Sequence, residues 1–374
     1  GQTLTIRMLQ NGLYLEKLFP AYLFCGQRGC GKTSTARIFA AALNCTNLEK
    51  FRKTPAQNPV PCLECNSCKA MNESRHPDFV EVDAASNTGV DNVRQILEAS
   101  NYLPLLGKKK IYLIDEAHML SKAAFNAFLK ILEEPPNSVL FMLATTEMAK
   151  IPDTVRSRCF HATFSALEKK NLTEHLKTVC DNENIPWTDD ALSIISEESS
   201  GSVRDALNIV EQVWTIDRKL EEETVRKALG IISKIDLIKI FKAVIDKDSS
   251  SLLNFLADLN IQNKNANSLW SGFANLLSAF IRVRLGANIE QSMFCKQKEA
   301  IFEISSAVSI NRLHALNQLF WGQESQFLRT THKHLFLEHL LVQMANQVDL
   351  LPLDEIINKL DLGKTLTSSI ANKT

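Results

Sequence analysis

Eight consecutive residues near the amino end match a phosphate-binding loop. They fit the pattern G-x-x-x-x-G-K-[ST], follow a short apolar run and precede a stretch with helical periodicity over 33–44, which is the context that this motif requires. Glycines let backbone N–H groups surround phosphate oxygens, the lysine reaches the β and γ phosphates, and the last hydroxyl ligates Mg²⁺. The pattern predicts a site for a nucleoside triphosphate and Mg²⁺. Its residues are Gly26, Gln27, Arg28, Gly29, Cys30, Gly31, Lys32 and Thr33.

Two acidic residues end an apolar run further along the chain. The run 111–114 is typical of a buried strand, and Asp115 and Glu116 follow it directly. Asp115 is placed to hold Mg²⁺ through water, and Glu116 can orient and polarise an attacking water. Such a pair alone is as often a solvated turn. Together with the phosphate loop, it indicates hydrolysis of ATP rather than binding alone.

Polar and basic residues later in the chain could complete such a site. Thr146 follows the apolar run 138–144, where a sheet would hold it near the γ-phosphate, although an ordinary strand end explains it equally well. Phosphoryl transfer requires a cation at the γ-phosphate, from the same chain or from a neighbour. Arg156, Arg158 and Arg204 are candidates, and the alternative for each is an ordinary surface arginine.

Four cysteines form a metal-type cluster after the phosphate loop. Cys45, Cys62, Cys65 and Cys68 are spaced C-x16-C-x2-C-x2-C in a polar loop that contains prolines. Four thiolates make a closed, tetrahedral zinc site with no position for a catalytic water, so we expect a structural zinc. Disulfides conflict with a cytosolic chain, and a redox pair lacks a thioredoxin-like setting. His76 could substitute as a ligand, but four cysteines make it unnecessary.

Composition limits the classes of protein to consider. The 374 residues include 42 Lys plus Arg and 42 Asp plus Glu, so any contact with DNA must be a local patch. No apolar run reaches the roughly 18 residues of a membrane helix, and no secretory signal pattern is present. These features predict a cytoplasmic protein of two or three domains. Because the chain begins with Gly1 rather than methionine, we expect further sequence upstream.

Short apolar runs alternate with helix-periodic stretches in the first part of the chain. This alternation predicts an α/β fold with a parallel five-stranded sheet covered by helices. The clearest helix is 122–134, with Ser121 as its N-cap and a Pro-Pro pair as its stop. The predicted strands are 22–24, 79–82, 110–114, 138–144 and 160–164.

The strand signal disappears after residue 164. Three amphipathic helices are predicted over 167–229, and an all-helical segment follows from 231 to about 349. Apolar stripes in that segment predict the core of a helical bundle. Examples are Leu252, Leu253, Leu256 and Leu259, and then Leu335, Leu337, Leu341 and Met344.

Taken together, the motifs resemble those of the gamma/tau family, the AAA+ ATPases of the bacterial sliding-clamp loader. The resemblance is continuous over about residues 1–230, and beyond that it is supported by helical character and position. The matching stretches are 21–33, 43–45, 61–68, 83–87, 112–120, 132–136, 143–147, 157–159 and 201–206.

The resemblance implies roles that the residues alone leave open. Arg158 is similar to the family's arginine that reaches the ATP site of an adjacent subunit. Arg204 would act in its own site as the sensor on the lid, and Thr146 as the sensor at its strand end. The family has no polymerase site in this subunit. For contacts with DNA, the first candidate is the helix after Ser86, with Arg94.

The resemblance also implies a domain order and partners. Residues 1–164 would be the AAA+ nucleotide-binding domain with a zinc insert at 45–68, followed by a helical lid at 165–230. A helical collar at 231–352 would build a ring of subunits, and 353–374 would be a tail or linker. Expected partners are delta, delta prime and further gamma/tau copies, the sliding clamp, primer-template DNA and, for a longer tau form, the polymerase core and helicase.

Two alternatives remain from the sequence. One is a non-hydrolysing structural subunit of a clamp-loader ring, which would be expected to have a broken phosphate loop. The other is a different AAA+ DNA-processing ATPase, such as a branch-migration helicase or replication initiator. Such proteins would be expected to lack the four-cysteine insert and to end in a DNA-binding module.

Overall fold

A computed structural model describes residues 2–86, 89–289, 292 and 294–347. The chain divides into two compact units, the first ending at Glu221 and the second beginning at Glu222. The segment 353–374, expected to be a tail or linker, lies outside the described residues. No helix among the described residues is long and apolar enough to span a bilayer.

The first unit is built on one parallel sheet of five strands. Their order is β2-β3-β4-β1-β5, which confirms the predicted α/β architecture. Each observed strand overlaps a predicted one, with bounds that differ by no more than two residues. The strands are β1 Ala21–Gly26, β2 Phe79–Asp83, β3 Lys110–Asp115, β4 Val139–Thr145 and β5 Phe160–Phe164.

Burial explains why these runs are strands. All seven residues of β4 are buried, and so are the first five of β1, because helices cover both faces of the sheet. Tyr112 of β3 stacks on Phe141 of β4 with ring centroids 5.5 Å apart. The apolar interior therefore determines which strands lie in the middle of the sheet.

Ten helices belong to the first unit among the described residues. The helix predicted over 33–44 begins and ends one residue earlier, and the helix predicted over 122–134 ends one residue earlier. Ser121 caps the second of these helices as predicted, because its hydroxyl accepts from the Ala124 N–H. The helix over 3–14 was not predicted from the sequence. The helices are α1 Thr3–Tyr14, α2 Lys32–Leu43, α3 Leu48–Lys53, α4 Asn66–Asn72, α5 Val90–Ala99, α6 Lys122–Glu133, α7 Asp153–Arg156, α8 Lys169–Asn182, α9 Asp189–Glu198 and α10 Val203–Asp217.

The described part of the second unit is helical and encloses one large apolar core. Trp270 lies in that core and stacks on Phe320 and Phe327, with centroids 4.1 and 4.4 Å away. The helices are α11 Glu222–Leu229, α12 Lys234–Ile245, α13 Ser249–Asp258, α14 Ala266–Arg284, α15 Lys298–Ser306, α16 Ile310–Gly322, α17 Glu324–Arg329 and α18 Lys333–Ala345.

Two residues of the predicted apolar stripes are not in the core. Leu253 is 39% exposed and Leu335 is 65% exposed. The buried residues of the two stripes follow one another at intervals of three or four: Leu252 and Leu256, and then Leu337, Leu341 and Met344. Residues at i and i+4 share a helix face, while a residue one or two positions away points to another face. The prediction was therefore wrong for Leu253 and Leu335.

The segment leading into β3 is held on two sides. On one side, the carboxylate of Asp78, which is 1% exposed, accepts the N–H groups of residues 105–107 at 2.6–2.7 Å. Burial by itself would raise the pKa of Asp78, but these donors outweigh it and lower the pKa. On the other side, the Asn44 amide accepts from the N–H groups of Lys108 and Lys109 at 3.0 and 2.9 Å and donates to the Lys109 carbonyl at 2.9 Å. These bonds set where β3 begins.

We expect Asp78→Asn to lower the free energy of unfolding by about 3 kcal/mol, because an amide cannot satisfy three converging N–H donors. The carboxylate's contribution is complete above its ordinary pKa of about 4 and is lost as the pH falls through its lowered pKa. Denaturant unfolding at pH 7 and pH 3 should show the difference between the two proteins shrinking in acid. The control is Asp91→Asn, at a side chain that is 84% exposed. Equal stability of the wild type, Asp78→Asn and Asp91→Asn at pH 7 would contradict the stabilising role of Asp78.

Candidate active site and metal centre

An open cleft of about 640 Å³ lies where the carboxyl ends of β1, β3 and β4 meet. Parallel pairing sends the residues after each of these strands to the same edge of the sheet. The turn between α9 and α10, with the first turn of α10, contributes further lining residues. The lining residues are Gln27, Arg28, Ala85, Glu116, His118, Met119, Thr146, Ser199, Ser200, Ser202 and Asp205.

The phosphate loop joins β1 to α2 at this cleft. At Gly26, a Cβ atom would lie 2.1 Å from the Phe164 carbonyl oxygen, so only glycine fits against β5. Lys32 is 6% exposed, and its Nζ donates to the carbonyl oxygens of Gly26 and Gln27 at 2.9 and 2.8 Å. Within the described residues no carboxylate forms an ion pair with Lys32. A buried ammonium with only neutral acceptors fits a phosphate ligand.

The predicted Mg²⁺ ligands lie together. The Thr33 hydroxyl, at the start of α2, donates to Asp115 Oδ2 at 2.6 Å, at the end of β3. The sequence separates the two residues by 82 positions, and the sheet brings them into contact. A hydroxyl and a carboxylate are the oxygen donors that Mg²⁺ prefers, so this pair fits the ion.

Glu116 follows in an uncommon backbone conformation. Its φ is +47°, and its N–H donates to Asp115 Oδ1 at 2.9 Å. The carboxylate lines the cleft, and the Thr146 hydroxyl lies 3.4 Å from its Oε2. The structure thus brings Glu116 and Thr146, two of the predicted site residues, to the cleft beside Thr33 and Asp115.

His118 was not among the site residues predicted from the sequence. Its side chain is 8% exposed and lies between Glu116 and Glu147, with Nδ1 3.4 Å from Glu116 Oε2 and Nε2 3.4 Å from Glu147 Oε1. Nδ1 is also 3.2 Å from the Thr145 hydroxyl. The only signal in the sequence was position, two residues after Glu116.

The start of α10 packs directly on the phosphate loop. The Gly29 carbonyl accepts the N–H groups of Val203 and Arg204 at 3.1 and 3.5 Å. Gly29 has a φ of +73°, and a Cβ there would lie 2.0 Å from the Ser202 hydroxyl oxygen. Arg204 is therefore beside the phosphate loop, with its side chain exposed.

Of the remaining predicted residues, Arg158 lies away from the cleft and Cys30 lies within the phosphate loop. Arg158 precedes β5, so it is at the opposite edge of the sheet from the cleft, where it pairs with Glu133 at 2.7 Å and donates to the Thr154 carbonyl at 2.7 Å. Cys30 lies inside the phosphate loop, 3% exposed, with its thiol donating to the Gln27 carbonyl at 2.8 Å. Burial raises the pKa of the Cys30 thiol, so it stays neutral.

The four predicted metal ligands form a cluster. The sulfur atoms of Cys45, Cys62, Cys65 and Cys68 all lie within 4.8 Å of one another, and those of Cys62 and Cys68 are 3.9 Å apart. Four sulfurs bonded tetrahedrally to zinc at roughly 2.3 Å would be separated by roughly 3.8 Å, so the cluster fits zinc. Burial opposes ionisation of Cys65, but N–H donors from Thr46 and Cys68 outweigh it and lower its pKa to about 6.

His76 is not a fifth ligand. The Asp78 N–H donates to its Nδ1 at 3.1 Å, so Nε2 carries the hydrogen and donates to the Ser67 hydroxyl at 3.0 Å. Both ring nitrogens are used. Burial lowers the pKa of His76, which keeps the ring neutral.

Comparison with family models gives three consecutive matches. They are DNA polymerase III, delta subunit, over residues 1–168; the ATPase lid domain of the DNA polymerase III clamp loader subunit over 171–216; and DNA polymerase III subunits gamma and tau domain III over 220–360. The three matches cover most of the chain in that order.

Curated relatives carry matching names. The chain is 40% identical to the Haemophilus influenzae DNA polymerase III subunit tau/gamma over 68% of this chain and 36% of that protein. It is 33% identical to the Bacillus subtilis tau subunit over 96% of this chain and 64% of that protein. It is 32% identical to a Buchnera aphidicola gamma subunit over 93% of this chain and 94% of that protein. The matched part is thus about a third of the Haemophilus protein's length and just under two thirds of the Bacillus protein's.

Among solved structures, the Thermotoga maritima RuvB branch-migration motor is similar with a TM-score of 0.46 and 17% identity, over 82% of this chain and 87% of that one. The Bacillus subtilis clamp loader delta protein has a TM-score of 0.36 and 13% identity, over 91% and 100%. Both TM-scores are too low to carry an argument.

We expect purified protein to contain about one zinc per chain, because the cluster supplies a complete ligand set. Cys62→Ser should lower the zinc content and the melting temperature together, since it removes one of four ligands. Cys295→Ser, at an exposed cysteine of the second unit, is the control and should change neither. Metal analysis by mass spectrometry and thermal unfolding give the two readouts. A fully folded, zinc-free wild-type protein would overturn the assignment.

Proposed function

The chain belongs to the DNA polymerase III gamma/tau subunit family, and from that premise we propose that it is an ATPase of the sliding-clamp loader. In this proposal it uses ATP hydrolysis to load the clamp onto primed DNA in the cytoplasm. Residues 1–164 act as the AAA+ domain, 165–230 as the lid and 231–352 as the collar through which a ring of subunits forms.

The cleft at the strand ends is the observation that carries this proposal. Glu116 lines the cleft, and the same strand ends carry a buried lysine with no carboxylate partner among the described residues and a hydroxyl–carboxylate pair suited to Mg²⁺. A passive nucleotide site has no use for that glutamate. The complete phosphate loop likewise disfavours the alternative of a non-hydrolysing ring subunit.

Each residue then has a defined task. Lys32 binds β- and γ-phosphate oxygens, while Thr33 and Asp115 hold Mg²⁺, which neutralises charge on the phosphates. Glu116 accepts a proton from water as the water oxygen attacks the γ-phosphorus and the bond to the β-phosphate oxygen breaks. Thr146 limits the rotation of the Glu116 carboxylate, since its hydroxyl is 3.4 Å away. Arg204, on the lid, reaches the γ-phosphate from its own chain.

Arg158 serves the site of a neighbouring subunit in this proposal. It lies across the sheet from its own cleft and pairs with Glu133, so it cannot act there without a large displacement. A cation supplied by a neighbour makes hydrolysis depend on assembly. The partners proposed are delta, delta prime, other copies of this subunit, the clamp and primer-template DNA, with the polymerase core and helicase for a longer tau form.

We expect ATP turnover by the reconstituted loader to rise when the clamp and primed DNA are added. Glu116→Gln should keep ATP binding and lose turnover by about 100-fold or more, because an amide cannot accept the proton. Steady-state phosphate release and nucleotide titration measure the two effects. Absence of stimulation in the wild-type loader would sink the proposed function.

We expect Arg158→Ala to spare ATP binding and to reduce hydrolysis by about 1,000-fold in a ring of variant subunits. Arg75→Ala removes an arginine that is 75% exposed and paired with Glu73, and it should behave as wild type. Rings mixed from Arg158→Ala and Lys32→Ala subunits decide whose site the arginine serves. If ATP hydrolysis is lost at the site of the subunit that carries Arg158→Ala, and not at the site of its neighbour, the assignment in trans is wrong.

A further inference from the structure

His118 has no task in the proposed chemistry, yet its side chain is largely buried and has polar groups beside both ring nitrogens. It projects from a short 3-10 turn, Ala117–Met119, and only 8% of the side chain is exposed. Three polar groups surround the ring: the Glu116 carboxylate, the Thr145 hydroxyl and the Glu147 carboxylate. A ring held on both nitrogens is suited to fixing the position of its partners.

The contacts on the Glu116 side indicate which atom donates. Nδ1 is 3.2 Å from Thr145 Oγ1 and 3.4 Å from Glu116 Oε2. Thr145 Oγ1 already accepts the Glu147 N–H at 3.0 Å. A carboxylate accepts hydrogen bonds, so a hydrogen bond between the ring and Glu116 requires the hydrogen on Nδ1. His118 then donates towards Glu116 from a site anchored to the end of β4.

Glu116 needs such an anchor. Its side chain is 34% exposed and has several rotatable bonds, and the Thr146 hydroxyl and His118 Nδ1 each lie 3.4 Å from the same oxygen, Oε2. The left-handed backbone at Glu116 sets the direction of the side chain but not the orientation of its carboxylate. An orienting group beside a general base holds it in the reactive geometry.

We propose that His118 is a positioning residue for ATP hydrolysis: its Nδ1–H holds the Glu116 carboxylate and links it through Thr145 to the end of β4. This inference rests on the proposed function. It does not make His118 a catalytic residue, because no part of the ring needs to touch ATP or the attacking water.

Two amide variants separate the two ends of the ring. The side-chain nitrogen of asparagine lies about as far from Cα as Nδ1, and that of glutamine about as far as Nε2. His118→Asn can therefore keep the contact with Glu116, and His118→Gln only the contact with Glu147. His118→Ala keeps neither, and His175→Ala, at an exposed histidine of α8, is the matched control.

In the reconstituted loader, His118→Ala should lower kcat about 10- to 100-fold while the Kd for ATP changes less than about twofold, because misplacing a reacting group slows chemistry without weakening phosphate contacts. His118→Asn should recover most of the kcat, and His118→Gln should resemble His118→Ala. The control should match wild type. A kcat for His118→Ala within about twofold of wild type overturns the inference. The inference is also overturned if His118→Ala lowers kcat, ATP affinity and thermal stability together and if His118→Asn and His118→Gln restore all three equally.

A nitrogen-15 spectrum of the imidazole tests the contact without turnover. The Nδ1 resonance of His118 should move in Glu116→Gln and stay in place in Glu133→Gln, whose side chain pairs with Arg158 instead. An unmoved resonance overturns the inference even if the wild-type loader is active. If the wild-type loader proves inactive, the proposed function fails, and the spectrum still decides whether His118 holds Glu116.

Discussion

The parallel pairing of β1 with β4, and of β4 with β3, is the constraint on which the rest of the first unit depends. The phosphate loop begins at Gly26, the last residue of β1; Asp115 ends β3 and Glu116 follows it; and Thr146 follows β4. Because the strands run the same way, these polar groups meet at one edge, although more than 80 residues separate Thr33 from Asp115. The apolar residues of β4, all buried, are thus as necessary to the site as the charged ones.

Helix α2 is the second shared element, since each of its ends has a separate task. It begins at Lys32 and Thr33 in the phosphate loop and leads at its other end to Asn44, which holds the segment before β3, and to Cys45 in the metal cluster. A helix of 12 residues is about 18 Å long, so the cluster is too distant to take part in phosphate chemistry. Its place is structural.

The cluster is also connected to β3 by hydrogen bonds. Ser67, beside the ligand Cys68, accepts from His76, which accepts from the Asp78 backbone, and the Asp78 carboxylate holds residues 105–107. The cysteine insert therefore braces the approach to the strand that ends in Asp115. This is a physical reason for the four-cysteine cluster to lie in the same unit as the phosphate loop without contacting it.

The sequence by itself determined the phosphate loop, the acid pair, the ligand set of four cysteines and the strands, because each depends on spacing or on an uninterrupted apolar run. Periodicity was insufficient for Leu253 and Leu335, since a stripe of leucines does not say which face is covered. Only the tertiary structure decided that His118 contacts Glu116, that Gly29 packs on α10, and that Arg158 lies across the sheet from its own cleft. Strand order and packing determine which side chains and segments make these contacts. Local residue spacing encodes neither strand order nor packing.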